Sequence, residues 1–246
     1  MNLIWPQLNR FRRHWLNRDL LLTVSKGETE HVRRLLDSGA SANAVAHRLT
    51  ALAIAGRSPW SNAATMRLLL ERGALVNGDL KWKTQSPLGL ASHQSDKERI
   101  WLLITHGADV NSLQPGMGTG LTPLQELVKW ADLETLALLL ERGADINKRS
   151  VVNDKLKLGG ITALHSAAGA GRPDVVSFLL SNGADITLLS VGGKSALDSA
   201  RKTLDQPFFR DMRDEEWAET YRETKAEAYR EIIALLEEET DQCQNH

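Results

Sequence analysis

The chain is nearly without cysteine: Cys243 is the one copy in 246 residues. That excludes an internal disulfide framework and suits a reducing compartment. Long apolar runs are missing too, since nothing approaches the roughly 18 residues that span a bilayer. At the N-terminus Leu3, Ile4, Trp5, Leu8 and Phe11 are interrupted by Pro6, Arg10, Arg12 and Arg13, so no secretory h-region forms. The expectation is a cytoplasmic protein with no transmembrane segment. An excess of charge of one sign is absent as well: the formal net charge of −1 gives no global pull toward nucleic acid or anionic membrane.

Catalytic constellations are equally scarce. The seven histidines do not cluster at ligand spacing, and one cysteine without a paired His motif argues against zinc. Gly192-Gly193-Lys194-Ser195 resembles the tail of a phosphate-binding loop, but the upstream glycine of that pattern is replaced by Leu188. Gly116-Met117-Gly118-Thr119-Gly120 lacks the final spacing of a dinucleotide loop. No catalytic residue, cofactor or metal is expected, and the chain does not read as an enzyme.

What is present is repetition. A pair of large aliphatic residues, two further residues and Gly-Ala recur at Leu35-Leu36…Gly39-Ala40, Leu69-Leu70…Gly73-Ala74, Leu103-Ile104…Gly107-Ala108, Leu139-Leu140…Gly143-Ala144 and Leu179-Leu180…Gly183-Ala184. The glycines step by 34, 34, 36 and 40 residues, a period that marks a stack of small units. A second block recurs in register, beginning at Thr50, Ser86, Thr122, Thr162 and Ser195, each followed by Ala or Pro and then Leu. A Ser or Thr hydroxyl can cap an otherwise orphan amide at a helix start, and Pro suits the first turn that follows. The glycine after each aliphatic pair predicts a left-handed residue closing a second helix. Neither helix of such a pair could bury its apolar face without neighbours.

Residues 18 to 200 resemble the ankyrin repeat, most closely over Gly160-Ile161-Thr162-Ala163-Leu164-His165-Ser166-Ala167-Ala168 and Gly171-Arg172-Pro173-Asp174-Val175-Val176-Ser177-Phe178-Leu179-Leu180. The resemblance implies an all-α repeat fold: an α-solenoid of six helix-turn-helix units starting near 18, 50, 86, 122, 162 and 195, with β-hairpin or loop fingers between them. Residues 1–17 form a basic N-terminal cap in this reading. Residues 201–246 form an insertion and a long acidic capping helix, with Trp217, Tyr221, Thr224, Ala228, Ile232 and Leu235 along one face.

From each glycine to the next hydroxyl residue the chain spends 11, 13, 15, 19 and 12 residues, and insertions of this kind map to the fingers. In ankyrin-like modules finger tips and the exposed ends of first helices make the concave recognition face. By that resemblance the face includes Arg57, Lys81, Trp82, Lys83, His93, Gln94, Lys129 and Trp130. Trp60 sits in a two-residue expansion of the second unit, and the longest finger adds Lys148, Arg149, Lys155 and Lys157. Aromatic residues flanked by cations are frequent anchors of protein contacts.

The ends carry opposite charge. Residues 1–18 hold four arginines and no acid, whereas residues 211–239 hold eleven acids against four cations. Ile4, Leu8, Phe11 and Trp15 fall at helical spacing, and the expectation is that this face packs on the first unit rather than on a membrane surface. The function expected is non-enzymatic binding of one specific protein, as an inhibitor or immunity-type protein that masks a toxin's or enzyme's active site. The free chain is expected to be a monomer. A self-assembling scaffold, or a ligand-binding or enzymatic site grafted on the array, remain the alternatives.

Overall fold

A computed structural model describes residues 4–78, 85–94, 96–113, 120–152, 159–204 and 216–244. Its contacts divide the chain into two compact units, 1–114 and 115–246. The first contains α1 (Ile4–Lys26), α2 (Thr29–Asp37), strands β1 (Val45–Ala46) and β2 (Leu49–Thr50), α3 (Ala51–Arg57), α4 (Ala63–Glu71), α5 (Pro87–Ala91) and α6 (Lys97–Thr105). The second contains α7 (Pro123–Leu127), α8 (Leu133–Glu141), α9 (Ala163–Ala170), α10 (Pro173–Ser181), α11 (Ala196–Leu204) and α12 (Glu216–Gln244). Within each unit the helices stack in serial order: α1 on α3 and α3 on α5, then α7 on α9 and α9 on α11. This is an all-α repeat solenoid.

The hydroxyl residues open the first helices as their chemistry requires. Thr50 Oγ1 accepts from Ala53 N–H at 3.1 Å, Ser86 Oγ from Gly89 N–H at 3.3 Å and Thr122 Oγ1 from Gln125 N–H at 3.2 Å. Three starts add the reciprocal bond of a capping box, through Gln125, His165 and Asp198. At the other end Gly39, Gly73, Gly107, Gly143 and Gly183 all adopt φ between 80° and 101°. The alanine after each glycine donates its N–H back to the first leucine of the aliphatic pair, for example Ala74 to Leu69 O at 2.9 Å. That is the bond pattern of a Schellman cap, and it explains why the motif is a pair of leucines, a gap and Gly-Ala.

Those leucines are the core. Leu69, Leu103, Leu139 and Leu179 are wholly buried, as are Met66, Ile100, Leu136 and Val175 one turn earlier. Neighbouring repeats are also tied by asparagine, four residues past Gly39, Gly73 and Gly143. Asn43 donates to Gly73 O at 2.8 Å and accepts from Leu75 N–H at 2.8 Å. Asn77 does the same to Gly107 O and Asp109 N–H, and Asn147 to Gly183 O and Asp185 N–H. Asp109, Asp145 and Asp185 meanwhile accept from the N–H two residues on, a scaffold role.

Two sequence expectations are corrected. First, α1 is one helix running through residue 17, and Phe11 and Trp15 on it are 65 % and 57 % exposed, not packed on the first repeat. Among its described side chains, Leu20, Leu21 and Val24 in the C-terminal half enter the core, and those of Ile4 and Leu8 lie outside the described residues. Second, the buried seam of α12 is Tyr229, Ile232 and Leu236, while Thr224 is exposed. Apolar residues occupy adjacent positions 228–229 and 235–236, so the 3–4 spacing fits two neighbouring faces. Tyr229 decides between them: its hydroxyl donates to Gly169 O at 2.9 Å. Trp217 and Tyr221 have side chains outside the described residues.

His165 makes this architecture pH-sensitive. Its Nδ1 accepts from Thr162 N–H at 3.3 Å, and Nε2 lies 3.0 Å from Lys194 O, a bond that needs a proton on that nitrogen. Burial, with Arg149 nearby, holds the ring below the ordinary imidazole pKa of 6.5, outweighing the bond to Lys194 and the charge of Asp198. The unfolded chain therefore takes up the proton first as pH falls, so stability present above 6.5 is lost on acidification. His165→Gln should abolish this component while keeping the box, because Gln125 already makes the matching bonds, accepting from Thr122 N–H and donating to Lys148 O and Ile161 O. Denaturant titrations from about pH 7 to pH 5 should show wild type losing stability relative to the variant. Parallel curves would refute the assignment.

Candidate partner-binding surface

In the first unit the N-terminal helix and the first finger enclose a groove of about 710 Å³. One wall is α1, through His14, Asn17, Arg18, Leu22 and Ser25. The other is the β1–β2 hairpin with Val45, Ala46 and His47. Its floor is apolar, formed by Leu21, Leu49 and Ile54, and Arg57 and Gln85 complete it. Asn17 fixes one wall against the other, since its Oδ1 accepts from Ser41 N–H at 2.8 Å. Gln85 N–H donates to Arg48 O at 3.0 Å, joining the base of the next finger to the hairpin tip.

The hairpin register pairs Val45 with Thr50 and Ala46 with Leu49, which leaves His47 and Arg48 as the two-residue turn. Both adopt positive φ, 49° and 64°. Such a turn favours Asn-Gly, and a residue with a Cβ in this region costs about 1–2 kcal/mol. An exposed imidazole and an exposed guanidinium are thus held at the tip in spite of the backbone, a kind of strain that clusters at functional sites. Beside the groove, Phe11, Trp15 and Leu22 make an exposed apolar stripe on α1, with the Arg18 guanidinium 5.5 Å from the Trp15 ring centroid.

The residues expected on the recognition face have mixed fates. Arg57 is exposed and lines the groove. Trp60 is 78 % exposed, at the turn between α3 and α4. His93 is exposed and Gln94 half-buried, both just after α5. In the second unit Lys129 pairs with Glu126 at 2.9 Å and Trp130 is half-buried beside it. Arg149 donates to Gly160 O and Leu189 O, so its guanidinium binds finger backbone. Lys148 is half-buried with its carbonyl taken by Gln125. Lys81, Trp82, Lys83, Lys155 and Lys157 lie outside the described residues. Sequence reasoning missed His14, Arg18, Leu22 and His47; the signal was the spacing of Phe11, Trp15 and Leu22, four and seven residues apart with Arg18 between.

A family model for three copies of ankyrin repeats matches residues 91–190. The mouse (Mus musculus) B-cell lymphoma 3 protein homolog is 31 % identical over 188 residues, 74 % of this chain and 39 % of that protein. The chain is an ankyrin repeat protein. Ankyrin repeat and SAM domain-containing protein 6 of Rattus norvegicus is 37 % identical over 90 residues, 37 % of this chain and 10 % of that one. This chain spans less than half the length of these curated relatives. Among solved structures, the human ASB11 ankyrin repeat domain superposes with a TM-score of 0.60 at 28 % identity, covering 73 % of this chain and 75 % of that one. The ankyrin repeat domain of Bcl-3 does so with 0.56 at 29 % identity, covering 73 % and 76 %. Ankyrin arrays are protein–protein interaction modules, built to present extended surfaces. No described helix is long and apolar enough to cross a membrane.

Proposed function

We propose that this ankyrin array binds one specific protein through its first helices and fingers and, by covering that partner's active site, acts as a dedicated inhibitor. The observation that carries the reading is where large side chains remain uncovered. Trp15, Leu22 and Trp60 in the first unit lie on or beside first helices, and Val151, Val152 and Leu189 in the second unit lie on fingers. The second helices bury most of their leucines in the core, Leu133 at the start of α8 being exposed. Uneven finger lengths favour a bespoke partner over a repetitive one. Backbone capping and asparagine ties hold much of the surface in place, so binding carries little ordering cost. A reducing, cytoplasmic setting fits the lone exposed Cys243.

The test is affinity capture with the full chain, followed by titration of the captured enzyme's activity. Stoichiometric loss of activity is expected. Trp60→Ala should weaken capture by about tenfold or more while shifting the melting temperature by no more than about 2 °C, because the indole is largely in water. A captured enzyme that keeps full activity when saturated would reduce the reading to a scaffold. A variant that binds as well as wild type would remove Trp60 from the surface.

A further inference from the structure

The chemistry of the α1–hairpin groove is more specific than that of a general contact face. Its floor is apolar, through Leu21, Leu49 and Ile54, and its rim carries Arg18, Arg57, His14 and His47. None of the described lining residues is acidic. Among the described residues no carboxylate pairs with Arg18 or Arg57. Two unpaired guanidinium groups beside an apolar floor select a ligand with the inverse pattern. Resting on the reading of this array as a protein binder, we infer that the groove takes an acidic linear segment of the partner, with an aliphatic or aromatic side chain inserted between flanking Asp or Glu residues.

Charge complementarity is one argument and shape is the other. The volume of about 710 Å³ falls in the range of pockets that enclose a ligand, and it holds a large side chain with the backbone on either side. The exposed stripe of Phe11, Trp15 and Leu22 extends the apolar surface along α1, where a bound segment would continue. A basic helix with exposed aromatics also suits an anionic membrane surface. Here, however, the cationic side chains ring a concavity walled by the hairpin, which a bilayer surface cannot enter. A second copy of this chain would offer the carboxylates of α12, but that helix has already buried Tyr229, Ile232 and Leu236 in its own unit. It brings charge without an anchor.

The experiment is panning of random linear peptides against the immobilised full chain, alongside the double variant Arg18→Glu/Arg57→Glu. Both arginines are exposed, so the variant should keep the wild-type circular dichroism and melting temperature. Peptides selected by wild type should be enriched in Asp and Glu around one apolar residue. They should bind the double variant at least about tenfold more weakly, and lose affinity in about 1 M salt, where the Debye length is about 3 Å. Leu22→Lys, which leaves both arginines in place, should weaken the same peptides through the apolar edge.

Selection of no peptides, or of peptides without acidic enrichment, overturns the inference. So does equal binding to wild type and double variant, which removes the groove while leaving the protein-binding reading intact if capture through Trp60 persists. Vesicles of phosphatidylserine and phosphatidylcholine that retain wild type and release the double variant, with no peptide selected, assign the patch to membrane instead. Dimerisation abolished by the double variant assigns it to a second copy. Acidic peptides that bind the groove without any enzyme being inhibited would retain this inference and defeat the inhibitor reading alone.

Discussion

Arg99→Met is expected to destabilise the protein by about 3 kcal/mol, the largest loss predicted for any single side chain considered. Arg99 lies at the start of α6 with only 4 % of its surface exposed. Its guanidinium contacts Asp96 Oδ2 at 2.8 Å, Ala55 O at 3.1 Å and Ser58 O at 2.8 Å. The two carbonyls belong to the end of α3 and the residue after it, where the helix has no following turn to satisfy them. Methionine fills a similar volume but leaves both carbonyls in a dry environment, and each unsatisfied polar group costs about 1–3 kcal/mol. Asp96 contributes less to the loss, because it is partly exposed and its other oxygen still caps Arg99 N–H at 3.1 Å. Arg99→Lys should recover only part, since an ammonium cannot reach three acceptors in a planar fork. Denaturant unfolding measures the difference, and a loss below about 1 kcal/mol would show that water replaces the guanidinium.

The second unit contains the same device from a different sequence position. Arg172 donates to Ala131 O at 3.2 Å and pairs with Asp174 at 2.7 Å, again tying the start of one second helix to the turn of the preceding repeat. Neither arginine was legible in the sequence, because they occupy different registers of the repeat frame, eight and eleven residues before the capping glycine. What the guanidinium reaches is common to both; where its backbone sits is not. By contrast, the parts that recur at a fixed register were read correctly. The hydroxyl caps, the left-handed glycines and the buried leucine that leads each aliphatic pair follow from local chemistry that repeats with the period. Asn43, Asn77 and Asn147 also recur at fixed register, four residues past Gly39, Gly73 and Gly143, and were legible in principle. They went unread because their bonds are to the next repeat rather than to their own.

The candidate surface was less legible for a related reason. Whether an amphipathic stripe faces a core or solvent depends on whether a neighbour exists to cover it. Phe11 and Trp15 show helical spacing in the sequence, yet both stay more than half exposed on α1. Arg57 was placed on the recognition face because its position in the frame, at the end of a first helix, points there irrespective of tertiary detail. Arg149 shared the composition of a contact residue and is used to hold finger backbone. Composition marks which side chains could serve a surface; hydrogen-bond demand in the neighbouring turns decides which ones are left to do so.

Gly27→Ala is the second large effect, expected at about 2–3 kcal/mol. Gly27 joins α1 to α2 at φ 73°, and a Cβ there would lie 2.1 Å from Trp60 O and 3.2 Å from Ser61 Cα. Those obstacles are backbone, so the clash is relieved only by moving the 58–61 segment. That segment is held twice more, by Ser58 Oγ donating to Ser25 O at 2.6 Å and by Arg99 donating to Ser58 O at 2.8 Å. The three contacts therefore act on one element, and their removal should not add. In the double variant Gly27→Ala/Arg99→Met the freed segment can retreat from the new methyl group, so the combined loss should fall short of the sum by about 1 kcal/mol. The same displacement would swing Trp60 on the exposed side of the turn. Gly27→Ala should accordingly weaken partner capture at temperatures where the protein is still fully folded, although residue 27 touches no ligand. Strict additivity in denaturant unfolding, together with unaltered capture, would mean that the 58–61 turn is anchored elsewhere and that its position does not matter for binding.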